Sequence, residues 1–151
     1  MTVKNIKILN RKESKEILAA LEEQWGFSGE LDYVFIRTMK DRIYLSGREI
    51  FDLDLSKMNI NTIGLYFGEM SHGLRLSIEG SQIIGPGAKK GVVELNEAEA
   101  RQWLSGMDLE RKDVPDGFVI LRLKSDFLGT GKAKAGIILN MVPKVRRIKS
   151  S

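Results

Sequence analysis

Lys144, Arg146 and Arg147 put three cations within four residues, and Lys132 and Lys134 stand two apart earlier in the chain. Lys89 and Lys90 form a further pair inside a glycine-rich stretch running from Gly85-Pro86-Gly87 to Gly91. Such rows suit polyanions: ammonium and guanidinium groups neutralise phosphates, and arginine adds a two-pronged donor geometry. Phosphate contacts hold an RNA backbone in register, while base choice comes from exposed edges or unstacked bases. Read as strands, Lys132 and Lys134 share one face, and so do Lys144 and Arg146, with Val145 and Arg147 on the other. The competing explanation is a solvated edge strand, blunted against aggregation by its charges and by Pro143.

Charge along the chain supports the ligand surface. From Leu121 onward eight basic residues meet one acid, Asp126, for a net of +7, whereas the preceding 120 residues carry −3. A directional field of this kind fits a protein that docks on a polyanion, with RNA as the expected partner. An adaptor whose basic strand meets an acidic protein is the alternative.

Other chemistry finds little support. The chain has no cysteine and one histidine, His72, which removes disulfides, thiolate zinc sites, cysteine nucleophiles and a multi-histidine metal centre. Gly129-Thr130-Gly131-Lys132 invites a phosphate-loop reading, but that motif needs glycine where Asp126 stands and Ser or Thr where Ala133 stands. Gly85 to Gly91 misses the dinucleotide-binding spacing by one residue and leads into the strand-like Val92-Val93. Glu97 and Glu99 belong to a helix's first turn, where acids favour the macrodipole. Asp126 has no neighbouring signal that would make it a catalytic base. No catalytic residue, metal or cofactor is therefore expected, and the protein is read as non-enzymatic. No export signal opens the chain, and its longest uncharged run, Met58 to Gly68, is too short to span a bilayer. A cytoplasmic setting is expected.

The elements that would hold these residues can be read from spacing. Val3 to Leu9 alternates as a strand. Asn10 and Glu13 have capping-box spacing, Ile17, Leu18, Leu21 and Trp25 form an apolar stripe, and Gly26 supplies the stop, so a helix is expected over Arg11 to Trp25. Tyr33 to Arg37 and Arg42 to Leu45 make a hairpin, Gly47 to Phe51 a weak short helix, and Thr62 to Glu69 a strand. Ser71-His72-Gly73 is the expected boundary. Beyond it come strands at Leu74 to Ile78, Val92 to Glu94, Phe118 to Lys124, Lys132 to Leu139 and Lys144 to Ile148. One helix interrupts them, with Asn96 and Glu99 as its capping box and Trp103 and Leu104 on its apolar face. Trp25 and Trp103 are expected in the core; Tyr66 and Phe67 are strand residues whose types could stack on bases, with burial the favoured reading. The short strands with glycine-rich turns argue for a small barrel or sandwich.

Several anchors then fall in a familiar order. Asp126-Phe127-Leu128-Gly129-Thr130-Gly131-Lys132, followed by Gly136, Asn140 and Pro143-Lys144-Val145-Arg146-Arg147, resembles the closing segment of PUA-type domains. The nearest type is the one appended to RNA cytosine-5 methyltransferases of the nucleolar/Sun class, the RsmF-like subgroup. Glu97 to Leu109 resembles the helix and Gly-x-Asp-Leu turn of that domain, and Leu76 to Gly85 its opening strand and short helix. Thr130 replaces the tryptophan often found between the two glycines. The first 70 residues resemble the small α/β domain that precedes PUA in ribosome-biogenesis proteins of the Nip-seven type.

The resemblance implies an α+β protein with a small N-terminal α/β domain (residues 1–70) followed by a PUA-like β-pseudobarrel (73–149). It implies RNA binding in rRNA or tRNA modification or ribosome biogenesis, alongside a separate modification enzyme or pre-ribosomal proteins. Carried over by position, the RNA surface comprises Gln82, Lys89, Lys90, Lys144, Arg146 and Arg147; the charge argument adds Lys132 and Lys134. Cytosine-5 transfer uses a cysteine nucleophile, so this chain by itself lacks that chemistry.

Overall fold

The cap expected at Asn10 forms. Its side chain accepts from the Glu13 N–H at 2.8 Å, and the Glu13 carboxylate accepts from the Asn10 N–H at 3.1 Å. Helix α1 (Arg11–Trp25) follows and ends at Gly26, whose φ of 63° is the left-handed geometry that glycine adopts without strain. Ile17, Leu21 and Trp25, on one stripe, are fully buried. This computed structural model describes residues 6–54, 59 and 64–149. The outer residues of the expected strands at 3–9 and 62–69 lie partly outside that range.

The described residues form two five-stranded sheets. In the first, β1 (Ile6–Ile8), β2 (Val34–Thr38), β3 (Arg42–Ser46), β4 (Leu65–Met70) and β5 (Leu74–Leu76) pair antiparallel in sequence order. The short helix after β3 is a 3-10 turn, Arg48–Asp52. The second sheet contains β6 (Val92–Glu94), β7 (Leu109–Glu110), β8 (Gly117–Leu123), β9 (Asp126–Lys134) and β10 (Ile137–Leu139), in the order β6-β8-β9-β10-β7. Among the described residues, only β6 and β8 run parallel. A register shift between Ile120 and Arg122 bends this sheet, which curls as a half-barrel. Helix α2 (Ile78–Ile84) follows β5, and α3 (Glu97–Leu104) follows β6 with the Asn96–Glu99 capping box in place. The architecture is α+β.

The second sheet is packed on both faces. Ile120 and Phe127 join Phe35, Ile43, Leu45 and Phe67 of the first sheet, with α1 and Ile84, in one apolar cluster. Val119, Leu121, Ala133 and Ile138 meet Trp103 and Ala100 of α3 in another. Gln24 ties α1 to β5, both donating to the Leu74 carbonyl and accepting from the Leu74 N–H, each at 2.8 Å, and Leu76 N–H on β5 donates to Thr130 Oγ1 on β9 of the second sheet at 3.2 Å. Ser71-His72-Gly73 is the tight turn between β4 and β5, closed by a bond of 2.8 Å from Ser71 N–H to the Gly73 carbonyl.

Three expected strands change. Leu74 to Ile78 stops at Leu76, because Ser77 caps α2: its hydroxyl accepts from Gly80 N–H at 2.9 Å and donates to the Tyr66 carbonyl at 2.6 Å. Lys132 to Leu139 is not one strand but the hairpin β9–β10, turning at Ala135 and Gly136, whose φ values are 52° and 81°. Lys144 to Ile148 is not a strand at all. Pro143 leads into a 3-10 turn, Lys144–Arg146, in which Arg146 N–H donates to the Pro143 carbonyl at 2.8 Å. The tail is anchored by Ile148 N–H to the Leu104 carbonyl, 2.9 Å, at the end of α3. β-branched residues favour extended backbone, but without a neighbouring ladder that preference is overridden.

Candidate nucleic-acid interface

A cleft opens where four pieces of chain converge: Tyr66 on β4, the stretch from Arg75 on β5 to Glu79 at the start of α2, Leu128 to Thr130 on β9, and Met141 to Arg146. Local chemistry explains each wall. Ser77 starts α2 beside β4, and Ser81 Oγ accepts from the Gly129 N–H at 2.9 Å, binding α2 to β9. Trp103 Nε1 donates to the Leu128 carbonyl at 3.0 Å from the opposite side of β9. Asn140 donates to the carbonyls of Trp103 and Met107 and accepts from Val142 N–H, which directs the chain after β10 across the cleft mouth.

Both arginines of the cleft already hold carboxylates. Arg146 Nη1 lies 2.6 Å from Glu79 Oε1, and Arg75 Nη2 lies 2.6 Å from Glu69 Oε2. The Arg146–Glu79 side chains are 44% and 31% exposed, so the pair stands at the rim, open to a ligand. Tyr66 packs on Tyr44 with ring centres 5.4 Å apart, and burial raises its phenol above the ordinary value. The floor is apolar, with Leu76, Ile78, Leu128 and Val142. The cleft encloses about 70 Å³, far less than the roughly 300–1,000 Å³ of pockets that swallow a cofactor.

The structure gathers some of the expected site residues and separates others. Gln82 is exposed one helical turn beyond Glu79, on the same side of α2 as the Arg146 contact. Lys144 is exposed on the turn that carries Arg146. Arg147, by contrast, turns toward the end of α3. Its Nε donates to the Val142 carbonyl at 3.0 Å, and its stem lies over Gly106, where a Cβ would stand 2.6 Å from Arg147 Cδ. The strand-face pairing of Lys144 with Arg146 is lost with the strand, and Arg146 and Arg147 do not form one ridge.

Lys89 and Lys90 sit at the C-terminal end of α1, their N–H groups donating to the Trp25 carbonyl at 2.8 and 3.3 Å. Cations there complement the helix dipole while leaving both side chains exposed. Lys132 lies over the Phe118 ring at 5.5 Å, and Lys134 is exposed at the end of β9. Among the described residues, Lys89, Lys90, Lys134 and Lys144 carry no ion pair.

Sequence offers Tyr66 and Phe67 as core residues or base-stacking rings; Phe67 is buried, whereas Tyr66 is half-buried in the cleft wall. Arg75 and Glu79 carry no local signal, since an acid in a helix's first turn is ordinary. Among the described residues no group of three or more metal-ligating side chains converges.

Comparison with known proteins matches a family model to the C-terminal part of the chain and two relatives to most of its length. Residues 90–148 match the family model described as the methyltransferase RsmF PUA domain. Over 138 residues the chain is 32% identical to the ribosomal RNA small subunit methyltransferase F of Aeromonas hydrophila, covering 90% of this chain and 28% of that relative. Over 140 residues it is 31% identical to the enzyme of the same name from Aeromonas salmonicida, again covering 90% and 28%. The chain thus spans less than a third of the length of these relatives.

Proposed function

Since the chain contains a PUA-like domain related to that of RsmF, we propose that it is a non-catalytic RNA-binding protein that docks structured ribosomal or transfer RNA for modification. The observation that carries this reading is the cleft between α2 and the 144–146 turn, with two arginines, an aromatic ring and an apolar floor. Lys144, on the turn that carries Arg146, contributes a phosphate contact beside it, the exposed Lys89, Lys90 and Lys134 offer others elsewhere on the surface, and the small volume of the cleft favours a piece of RNA over a bound cofactor. The relatives are rRNA methyltransferases by name; a separate catalytic partner fits a chain without a cysteine nucleophile.

Fluorescence anisotropy with labelled rRNA and tRNA fragments tests this. Binding should weaken with salt at a log–log slope of roughly −0.7 per phosphate neutralised on single strands. Affinity no better than that of an unrelated protein of equal charge refutes RNA docking and favours the adaptor reading.

A further inference from the structure

We propose that the Glu79–Arg146 pair reads the edge of an unstacked guanine in the bound RNA. The inference rests on the RNA-binding reading above and adds what the cleft selects. Its starting point is charge balance. Arg75 and Arg146 bring two positive charges, and Glu69 and Glu79 bring two negative ones, each within 2.6 Å of its partner. A phosphate entering here meets carboxylates as well as guanidinium groups, and must displace one while repelled by it. A neutral ligand with donors and acceptors side by side meets neither penalty.

The pair's chemistry narrows the choice. A guanidinium only donates and a carboxylate only accepts. Glu79 accepts from Arg146 through Oε1, and among the described residues its Oε2 has no partner. A small opening lets the two separate around a base edge, Arg146 donating to a carbonyl and Glu79 accepting two N–H groups. Guanine is the base that presents one carbonyl, O6, followed by two adjacent donors, N1–H and N2–H. Uracil has one donor between two carbonyls, and adenine and cytosine each place an amino group next to a ring acceptor that would face the carboxylate. Single-stranded RNA bases expose this edge once unstacked. Tyr66 and Pro143 line the cleft beside the pair.

Neighbouring lysines complete a division of labour. Lys144 and the other unpaired lysines hold phosphates, whereas the paired arginine distinguishes bases. The arrangement differs from a simple salt latch in one respect: removing the carboxylate should abolish selectivity, and not merely unmask a cation.

The test uses the full chain and uridine-rich RNA oligomers of one length carrying a single central G, A, C, U or inosine. Wild-type protein should bind the G oligomer roughly tenfold more tightly than the U oligomer, the discrimination expected of a bidentate contact. Inosine, which lacks the N2 amino group, should fall between them. Glu79→Gln should level the series while leaving the U oligomer's affinity unchanged or higher. RNA binding with no preference for G in wild-type protein overturns guanine reading and leaves RNA docking standing. Equal tightening on every oligomer by Glu79→Gln overturns it in favour of a latch. Failure to bind any oligomer or rRNA fragment sinks both.

Discussion

Trp103 supports the cleft from behind, and its removal tests how the fold builds the site. The side chain is fully buried, packs among Val93, Leu121, Ala133 and Ile138, and donates from Nε1 to the Leu128 carbonyl at 3.0 Å. Trp103→Ala therefore removes a large apolar side chain from a closed core, which costs about 3–5 kcal/mol. At roughly 3 °C per kcal/mol for a chain of this size, the midpoint of thermal unfolding should drop by roughly 9–15 °C. Trp103→Phe keeps much of the ring but loses the donor to Leu128, a bond worth about 1 kcal/mol plus the cost of an orphaned carbonyl. It should fall between wild type and alanine. Urea denaturation followed by far-ultraviolet circular dichroism measures both. Because Leu128 to Thr130 wall the cleft, RNA affinity should also fall in the alanine variant at temperatures where it remains folded. A loss of less than about 1 kcal/mol in Trp103→Ala would show that α3 does not brace β9 as described.

Other consequences can be checked separately. Lys144→Gln should weaken RNA binding equally on all sequences and reduce the salt slope by about 0.7, whereas Arg146→Gln should alter sequence preference with little change in slope. Gly131→Ala would place its Cβ 2.6 Å from both Ile138 Cγ2 and Trp103 Cη2; overpacking of that kind costs about 1–3 kcal/mol, read by urea denaturation. Asp113 is held below its ordinary pKa chiefly by hydrogen bonds from Arg111, which also reaches Glu99 and the Glu94 carbonyl. A depressed carboxylate stabilises the fold above its unfolded pKa, about 3.9, and that contribution is lost as pH falls through the lower folded value. Asp113→Asn should therefore flatten part of the acid limb of a thermal-stability profile, and an unchanged limb would contradict the pairing.

Helices announced themselves through residues close in the chain. Asn10 with Glu13, and Asn96 with Glu99, each close a reciprocal pair of hydrogen bonds three residues apart. Gly26 ends α1 for an equally local reason, and the hairpin of β2 and β3 needs only a short turn. The anchors from Gly129 to Arg147 pointed to the RsmF-type domain, and residues 90–148 match it. The C-terminal segment was harder, because Val145 and Ile148 look like strand residues until the absence of a pairing neighbour becomes visible. Its backbone groups turn instead to Pro143 and Leu104.

Composition by itself determined that the segment from Leu121 onward is strongly basic and that cysteine chemistry is absent. It could not decide which cations are free. Arg146 meets Glu79 across 67 positions of sequence, Arg147 folds against Gly106, and Lys89 and Lys90 close the end of a helix far upstream. A cap is settled within one turn of backbone. A charge's partner is whatever side chain the packed core brings within a few ångströms, and only the folded chain specifies that.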